Sequence, residues 1–310
     1  MTQSSPFLRI GTRGSPLALW QAHAVQAHLA AAHGVGPETI AIEVIRTSGD
    51  IIQDRPLSEV GGKGLFTKEI EQALTDGAID LAVHSSKDMP TALPAGLELL
   101  ACLPREDVRD AFISRKAASL ADLPPGAVVG TASLRRQAMV KRLRPDVSVV
   151  TFRGNVDTRL KKLEDGVVDA TLLAFAGLKR LGREVAATAV LDVETFLPAV
   201  GQGAVGIEAR SGDTRTRDLL AGINDAETLA AVCTERAFLA VLDGSCRTPI
   251  AGHARILGDV VVFRGMVLRP DGAEVHETTC KGAVQDGALL GAEAARELRG
   301  RTTPGFFAAA

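Results

Sequence analysis

Short apolar segments alternate with helical patterns along the first two thirds of the chain. Strand patterns lie at residues 7–10, 40–46, 79–84, 127–130, 147–152 and 170–174. Helical patterns lie between them, at about 15–32, 67–74, 134–143 and 156–164. A strand followed repeatedly by a helix favours parallel strand pairing, with the helices covering the sheet. The rhythm therefore predicts an α/β fold. Pro90 and Pro94 interrupt it, and the apolar run at 97–103 is the expected link into a second unit.

The composition agrees with this prediction. A chain of 310 residues is long for a single core, so several domains are expected. With 10 Phe, one Trp and no Tyr, the interior must be built from Ala, Val, Leu and Ile, as in parallel sheets. The formal charge is only −2, so any affinity for an acidic ligand has to come from local clusters of basic residues.

The last third of the chain has a different pattern. One long helical pattern ends near residue 242, strand patterns follow at 250–256, 260–268 and 274–279, and a last helical pattern covers 289–298. This predicts a small α+β domain. The glycine-rich segment at 200–208 is expected to return to the first unit. The predicted domains are residues 1–104 with 200–221, residues 105–199, and residues 222–310.

Several classes of partner and compartment are disfavoured. The four cysteines form no C-x-x-C pair and none lies near a histidine at the spacing of metal ligands, so no metal site is expected. No segment resembles a signal peptide or a membrane span, which favours a reducing cytoplasm. Since no basic stripe with interleaved aromatic residues is present, neither nucleic acid nor a membrane is an expected partner.

Three strand-to-helix turns contain arginine, at residues 12–15, 130–136 and 152–155, the last with Arg159 nearby. Cations are normally disfavoured at a helix N-terminus, where free N–H groups attract anions instead. Arginine also binds carboxylates and phosphates through two parallel hydrogen bonds. Three such turns at the carboxyl ends of strands predict a ligand with several acidic groups, although each alone could be an ordinary turn. The segment Gly201-Gln202-Gly203-Ala204 could bind an anion too, or be glycine-rich for steric reasons.

The segment from His84 to Pro90 follows a buried strand pattern and places Lys87 and Asp88 at the same edge. A carboxylate close to several cations stays ionised at neutral pH. Asp88 could therefore stabilise a developing positive charge or move a proton. The alternative is an aspartate that only caps the next turn. His84 is expected to be a structural histidine rather than a base.

Gly244-Ser245-Cys246 places a thiol in a tight turn between a helical pattern and a strand pattern. An accessible thiol can react, whereas a core thiol cannot. A cysteine that turns over as a nucleophile needs a base, and His253, the nearest candidate, falls inside a strand pattern. Permanent attachment of a group is therefore the favoured hypothesis, with an inert turn cysteine as the alternative. Cys102, Cys233 and Cys280 are expected to be structural.

Taken together, these segments resemble the porphobilinogen deaminase family. The resemblance rests on matching stretches in order along the chain: 12–18, 61–66, 83–90, 130–136, 153–156, 201–204 and 244–246. It implies an α/β fold with two periplasmic-binding-protein-like lobes with mixed sheets, a cleft between them, and a small C-terminal α+β domain. It also implies that residues 47–64 form a mobile cover and that the protein is a monomer.

The resemblance also implies a specific reaction and a specific cofactor. It implies a dipyrromethane cofactor joined by a thioether to Cys246. Four porphobilinogen molecules are condensed head to tail on this primer, with release of ammonia, and hydroxymethylbilane is then released by hydrolysis. The expected activity is thus that of a transferase in tetrapyrrole and haem biosynthesis.

The resemblance also implies roles for individual residues. Asp88 is the expected catalytic residue. Besides Cys246, the cofactor-binding residues are expected to be Lys87, Ser133, Arg135, Arg136, Asp50, Ser85, Thr131 and Gly203. The substrate-binding residues are expected to be Arg13, Ser15, Arg153, Arg159, Arg180, Lys63 and Phe66.

Two other functions compete with this one. A non-catalytic two-lobed binding protein or sensor for a polycarboxylate would use the arginine turns, but it would not need Asp88 together with Cys246. A cysteine hydrolase would use Cys246, but it lacks an evident histidine partner.

Overall fold

The computed structural model describes residues 6–51, 64–242, 248–303 and 305–306. These residues form two compact units. The first unit contains residues 6–51, 64–105 and 204–229, and the second contains the remaining described residues from 106 to 203 and from 230 onwards. The domain boundaries predicted above, which set the C-terminal residues apart, stay a prediction.

The described strands are β1 (Leu8–Thr12), β2 (Ile40–Val44), β3 (Leu81–Ser85), β4 (Leu97–Cys102), β5 (Asp110–Ser114), β6 (Val128–Gly130), β7 (Ser148–Val150), β8 (Ala170–Ala174), β9 (Ala189–Val190), β10 (Val205–Arg210), β11 (Ile250–Leu257), β12 (Val260–Leu268) and β13 (Val275–Ala283). The described α-helices are α1 (Pro16–His33), α2 (Ser48–Ile51), α3 (Lys68–Thr75), α4 (Leu134–Leu143), α5 (Val156–Glu164), α6 (Phe175–Arg180), α7 (Thr214–Ala221), α8 (Ala226–Val241) and α9 (Gly287–Arg301).

The first unit is built on a five-stranded sheet in the order β2-β1-β3-β10-β4. Strands β2, β1 and β3 are parallel, and β10 is antiparallel to both of its neighbours. Residues of α1 pack on one face of this sheet in a core that includes Leu8, Val25 and Ile207. Ile70 and Leu74 of α3 pack on the other face. Strand β10 begins directly after the glycine-rich segment and belongs to the first unit, whose last segment starts at Ala204.

The second unit contains a five-stranded sheet with the same arrangement, in the order β7-β6-β8-β5-β9. Strands β7, β6 and β8 are parallel, and β5 is antiparallel to β8 and β9. Two mixed sheets are therefore present, which confirms the predicted fold class. The alternation of strands and helices had favoured parallel pairing alone, and it did not predict the antiparallel strand β5.

The C-terminal part of the second unit is a three-stranded antiparallel sheet, β11-β12-β13, packed against α8 and α9. The rings of Phe238 and Phe263 lie 4.9 Å apart in this core. Gly265 leaves room for them, because a Cβ there would come within 2.7 Å of the Phe238 ring. The sheet and its helices confirm the predicted small α+β region. Within the part of the chain described, no helix has both the length and the apolar character needed to cross a bilayer.

Candidate functional site

The two chain segments that flank residues 52–63 lie against each other. The Gly49 N–H donates to the Leu65 carbonyl over 2.7 Å, and the Ser48 N–H donates to the Glu69 carboxylate over 3.0 Å. The Arg13 guanidinium carbon lies 4.2 Å from the centre of the Phe66 ring, a cation–π contact. The predicted site residues Arg13 and Phe66 are therefore neighbours in the first unit.

The structure describes some of the other site residues predicted in this part of the first unit and not others. The backbone of Asp50 lies in the short helix α2, whereas Lys63 lies outside the described residues. Ser15 is the N-cap of α1, and its hydroxyl accepts a hydrogen bond from the Ala18 N–H over 3.3 Å. Pro16 follows at the first helical position, where its missing N–H has no cost. The helix start is thus the one that the Ser-Pro pair predicted.

The Asp88 turn, residues 85–89, is fixed at its base and open at its tip. Strand β3 ends at Ser85, and the Ser86 N–H donates to the Ala204 carbonyl over 3.0 Å. The Ser85 hydroxyl accepts a hydrogen bond from the Gln21 amide over 2.9 Å, and Gln21 is buried. Lys87 and Asp88 follow in a short 3₁₀ turn, and both are exposed. The Lys87 ammonium and the Asp88 carboxylate are therefore exposed on a turn whose base is fixed by hydrogen bonds.

In the second unit, the turn before α4 has local polar support. Ser133 is the N-cap of α4, and its hydroxyl accepts a hydrogen bond from the Arg136 N–H over 3.4 Å. The Thr131 hydroxyl accepts one from the Ser133 N–H over 3.1 Å. Thr131 is buried and Ser133 half-buried. These are the contacts expected of a capped helix start.

Arg135 and Arg136 share a buried carboxylate, that of Asp110 at the start of β5. Both arginines are only 5 % exposed, and each donates to a different Asp110 oxygen over 2.7 Å. Burial alone would raise the pKa of Asp110, but the two positive charges lower it to about 2. The sequence predicted an anion beside Arg135 and Arg136, and the Asp110 carboxylate supplies at least part of that negative charge. Sequence reasoning missed Asp110.

Internal carboxylates also hold the glycine-rich segment. The Gly201 N–H donates to the Glu235 carboxylate over 2.6 Å, and the Gln202 amide donates to Asp110 over 3.1 Å. Gly203 has a φ of +85°, and a Cβ there would lie 2.3 Å from the Glu106 carbonyl oxygen. Glycine is therefore required at position 203 for both backbone conformation and space.

The third arginine turn leads into α5. Asn155 caps that helix by accepting the Thr158 N–H over 2.8 Å, and the Arg159 Nε donates to the Gly154 carbonyl over 2.8 Å. Arg153 and Arg159 are half-buried. The Arg180 guanidinium at the end of α6 donates to the Gly203 carbonyl over 2.6 Å, and burial lowers the pKa of Arg180 to about 10.

Each unit gathers its predicted residues at one edge of its sheet. In the first unit, Arg13 and the Asp88 turn follow the ends of the parallel neighbours β1 and β3. In the second unit, the segments that follow β6, β7 and β8 contain Ser133, Arg153, Arg159 and Arg180. In open α/β sheets the carboxyl ends of parallel strands are where ligands bind.

Cys246, the predicted attachment point, lies outside the described residues. Of the cysteines that are described, Cys102 is fully buried, and burial raises the pKa of the half-buried Cys280 to about 11. Neither has the accessible, readily ionised thiol that a reaction requires, and in the exposed residue Cys233 burial of the thiol raises its pKa. The described residues contain no group of three or more side chains arranged to bind a metal ion.

Comparison with solved structures finds periplasmic binding proteins at low similarity. A periplasmic substrate-binding protein of an ABC transporter from Coxiella burnetii is 14 % identical with a TM-score of 0.44, covering 74 % of this chain and 97 % of that chain. The unliganded L-cystine solute receptor of Neisseria gonorrhoeae is 14 % identical with a TM-score of 0.42, covering 70 % of this chain and 85 % of that chain.

Comparison of sequences gives much higher similarity. The family described as "Porphobilinogen deaminase, dipyromethane cofactor binding domain" matches residues 8–218, and "Porphobilinogen deaminase, C-terminal domain" matches residues 229–300. Porphobilinogen deaminases of Nitrobacter hamburgensis and Nitrobacter winogradskyi are each 63 % identical over 298 residues, which cover 96 % of this chain and 94 % of theirs. The matched ranges include both arginine-lined sheet edges and the C-terminal sheet, so the chain belongs to the porphobilinogen deaminase family.

Proposed function

We propose that this chain is a transferase that condenses four porphobilinogen molecules head to tail, releases ammonia, and hydrolyses off hydroxymethylbilane. The observation that supports this most directly is the Asp88 turn, where an exposed cation and carboxylate stand beside the end of β1 and Arg13. A non-catalytic binding protein would need the cations but has no use for the carboxylate of Asp88. The attachment point of the dipyrromethane cofactor is proposed to be Cys246.

The residues present suit a cofactor that bears several carboxylates. Lys87 is exposed, and the buried Arg135 Nε donates no hydrogen bond to any residue within the described ranges. We therefore propose that Lys87, Ser133, Arg135 and Arg136 bind its acidic groups, with Asp50, Ser85, Thr131 and Gly203 completing the binding site. When bound, the cofactor supplies a pyrrole carbon to which the first substrate is joined.

The basic residues would offset the charge of the substrate. Every porphobilinogen brings two carboxylates, so a growing product accumulates negative charge that repels itself. Arginine keeps its positive charge and binds carboxylates with two hydrogen bonds, which suits this task better than lysine. The proposed residues are Arg13, Ser15, Arg153, Arg159, Arg180, Lys63 and Phe66. Of these, Arg13 is oriented by its contact with the Phe66 ring.

Asp88 has the chemistry for the step in which ammonia leaves the substrate. Positive charge then develops on the pyrrole, and a nearby carboxylate stabilises that charge in the transition state more than in the ground state. The same oxygen atoms can accept a proton from the pyrrole N–H or return one to the leaving amine. The support from Ser86 and Ser85 holds this carboxylate in place without blocking its exposed tip.

Replacing Asp88 by asparagine is expected to lower turnover roughly 10²- to 10⁴-fold, the range seen for loss of a general acid–base group. The side-chain volume is nearly unchanged, so the folded protein and its bound cofactor should remain. Intact mass reports the cofactor, and product formation per loaded molecule reports turnover. Asp76→Asn, at another exposed turn of the first unit, is the matched control and should keep full activity. Turnover close to the parent's in Asp88→Asn would remove Asp88 from its proposed role.

We also propose that the protein works as a cytoplasmic monomer without nucleic acid or membrane partners. The three cysteines within the described residues form no disulfide, which suits a reducing compartment.

A further inference from the structure

Three titratable side chains are buried behind the Asp88 turn: His84 of β3, Glu208 of β10 and Glu71 of α3. They are 5 %, 0 % and 7 % exposed. In the strand register, His84 is opposite Gly206 and Glu208 is opposite Ala82, so both side chains lie on one face of the sheet. The His84 Nε2 lies 3.1 Å from a Glu208 oxygen. We call these three residues the buried cluster.

The buried cluster contains more acidic groups than basic ones. Within the part of the chain that the structure describes, Glu71 Oε1, both Glu208 oxygens and His84 Nε2 make no hydrogen bond of ordinary geometry. The next carboxylate, Glu69, already accepts the Ser48 N–H. Two carboxylates therefore lie beside a single imidazole in a buried space, where an ionised carboxylate is costly unless it is paired.

Burial, with the nearby carboxylate of Glu208, raises the pKa of Glu71. The Glu71 carboxyl group lies on a helix, and the His84 and Glu208 groups that act on it lie on two strands. Glu71 of α3 therefore interacts electrostatically with His84 of β3 and Glu208 of β10. The apolar side chains of Ile70 and Leu74 attach the same helix to the sheet.

The buried cluster is close in the chain to the Asp88 turn. His84 is followed by Ser85, the last residue of β3, and Asp88 comes three residues later. Ser86 is bonded to Ala204, which immediately precedes β10. Because the turn is attached at its base to both β3 and β10, its position depends on how these two strands are held. The link between His84 and Glu208 joins the same two strands.

We propose that His84, Glu208 and Glu71 are positioning residues that hold β3, β10 and α3 so that Asp88 keeps its reactive position. The proposal rests on the role assigned to Asp88 above. It differs from that role, because the buried cluster itself touches no substrate.

The first test is the turnover of His84→Gln and Glu208→Gln, measured per cofactor-loaded molecule with loading counted by intact mass. A displacement of about 1 Å in a reacting group can lower a rate about 10²-fold, so kcat is expected to fall roughly 10- to 100-fold with KM little changed. In an Asp88→Glu background, where the carboxylate is already displaced, the same substitutions should have a much smaller effect. Glu38→Gln, an exposed glutamate of the same unit, is the matched control.

Two outcomes would overturn the positioning role. One is a drop in melting temperature or in cofactor loading with kcat per loaded molecule unchanged, which would make the buried cluster merely structural. The other is an equal loss of kcat with and without the Asp88→Glu change, which would show that the buried cluster acts independently of Asp88. Turnover of Asp88→Asn is measured separately. Normal turnover in that variant would contradict the role of Asp88 itself, whatever the variants of the buried cluster show.

The second test uses Glu71→Gln and needs no activity. A carboxyl group with a raised folded-state pKa contributes stability below its ordinary value of about 4.5, and this contribution is lost as pH rises through the folded-state pKa. Glutamine cannot ionise. The melting temperature of Glu71→Gln minus that of the parent should therefore become more positive between pH 4 and pH 8, whereas the same difference for Glu38→Gln should change less. A flat or falling difference for Glu71→Gln would overturn the place of Glu71 in the buried cluster.

Discussion

Cys246→Ala is expected to yield a folded protein that lacks the dipyrromethane adduct and makes no hydroxymethylbilane. The thioether needs a sulfur atom, and the other cysteines described are poor substitutes: Cys102 is fully buried, and burial raises the pKa of the Cys233 thiol and that of Cys280, the latter to about 11. Without the covalent primer there is no pyrrole to which the first porphobilinogen can be joined. Intact mass and a product assay on the same preparation measure the two losses together.

Cys233→Ala is the matched control for this experiment. Cys233 lies in α8 and is exposed, so its loss should change neither the adduct nor the activity. Full activity of Cys246→Ala would defeat the proposed attachment point. A parent protein that binds polycarboxylates, carries no adduct and forms no product would instead support the non-catalytic binding protein.

The helix starts were predictable because their signals are local. Ser15-Pro16, Ser133 and Asn155 each act within three residues of themselves, accepting backbone N–H groups of the first turn. A short sequence window contains all the information that such a cap needs. The same holds for the positions of the three arginine turns, which follow directly from the strand and helix patterns beside them.

The partner of Arg135 and Arg136 was not predictable in the same way. The two cations at a helix start did indicate an anion, and the sequence analysis assigned it to a ligand. Asp110 lies 25 and 26 residues upstream of them, in a strand that pairs antiparallel between β8 and β9. No local pattern specifies that register, although a carboxylate directly before the apolar run Ala111-Phe112-Ile113 was a usable signal. The role of the two arginines in binding the cofactor stays a prediction.

His84 illustrates the same limit. The sequence analysis predicted a structural histidine, and His84 is indeed buried, with Glu208 as its partner. Glu208 is 124 residues away in the chain and reaches β3 only because β10 returns to the first unit. The glycine-rich segment predicted that return, but the strand order that places β10 beside β3 depends on packing of the whole sheet.

Asp110→Asn is expected to cost about 3–5 kcal/mol of unfolding free energy at neutral pH, the range for breaking a buried ion pair from one side. Asparagine fills nearly the same volume, but it cannot offset the charges of Arg135 and Arg136, which are almost fully buried. Asparagine keeps one oxygen that can accept from the Gln202 amide, so the expected loss comes from the two arginine charges. Chemical denaturation at pH 7 measures the effect.

The pH dependence separates this charge effect from a simple loss of packing. Because the folded-state pKa of Asp110 is about 2, its stabilising contribution is complete above the ordinary value near 4 and disappears as pH falls towards 2. The difference between parent and Asp110→Asn should therefore be constant above pH 5 and shrink below pH 4. Asp165→Asn removes the partner of an exposed lysine, Lys161, and should leave stability nearly unchanged at every pH. A pH-independent penalty for Asp110→Asn would show that shape, and not charge, is what this carboxylate contributes.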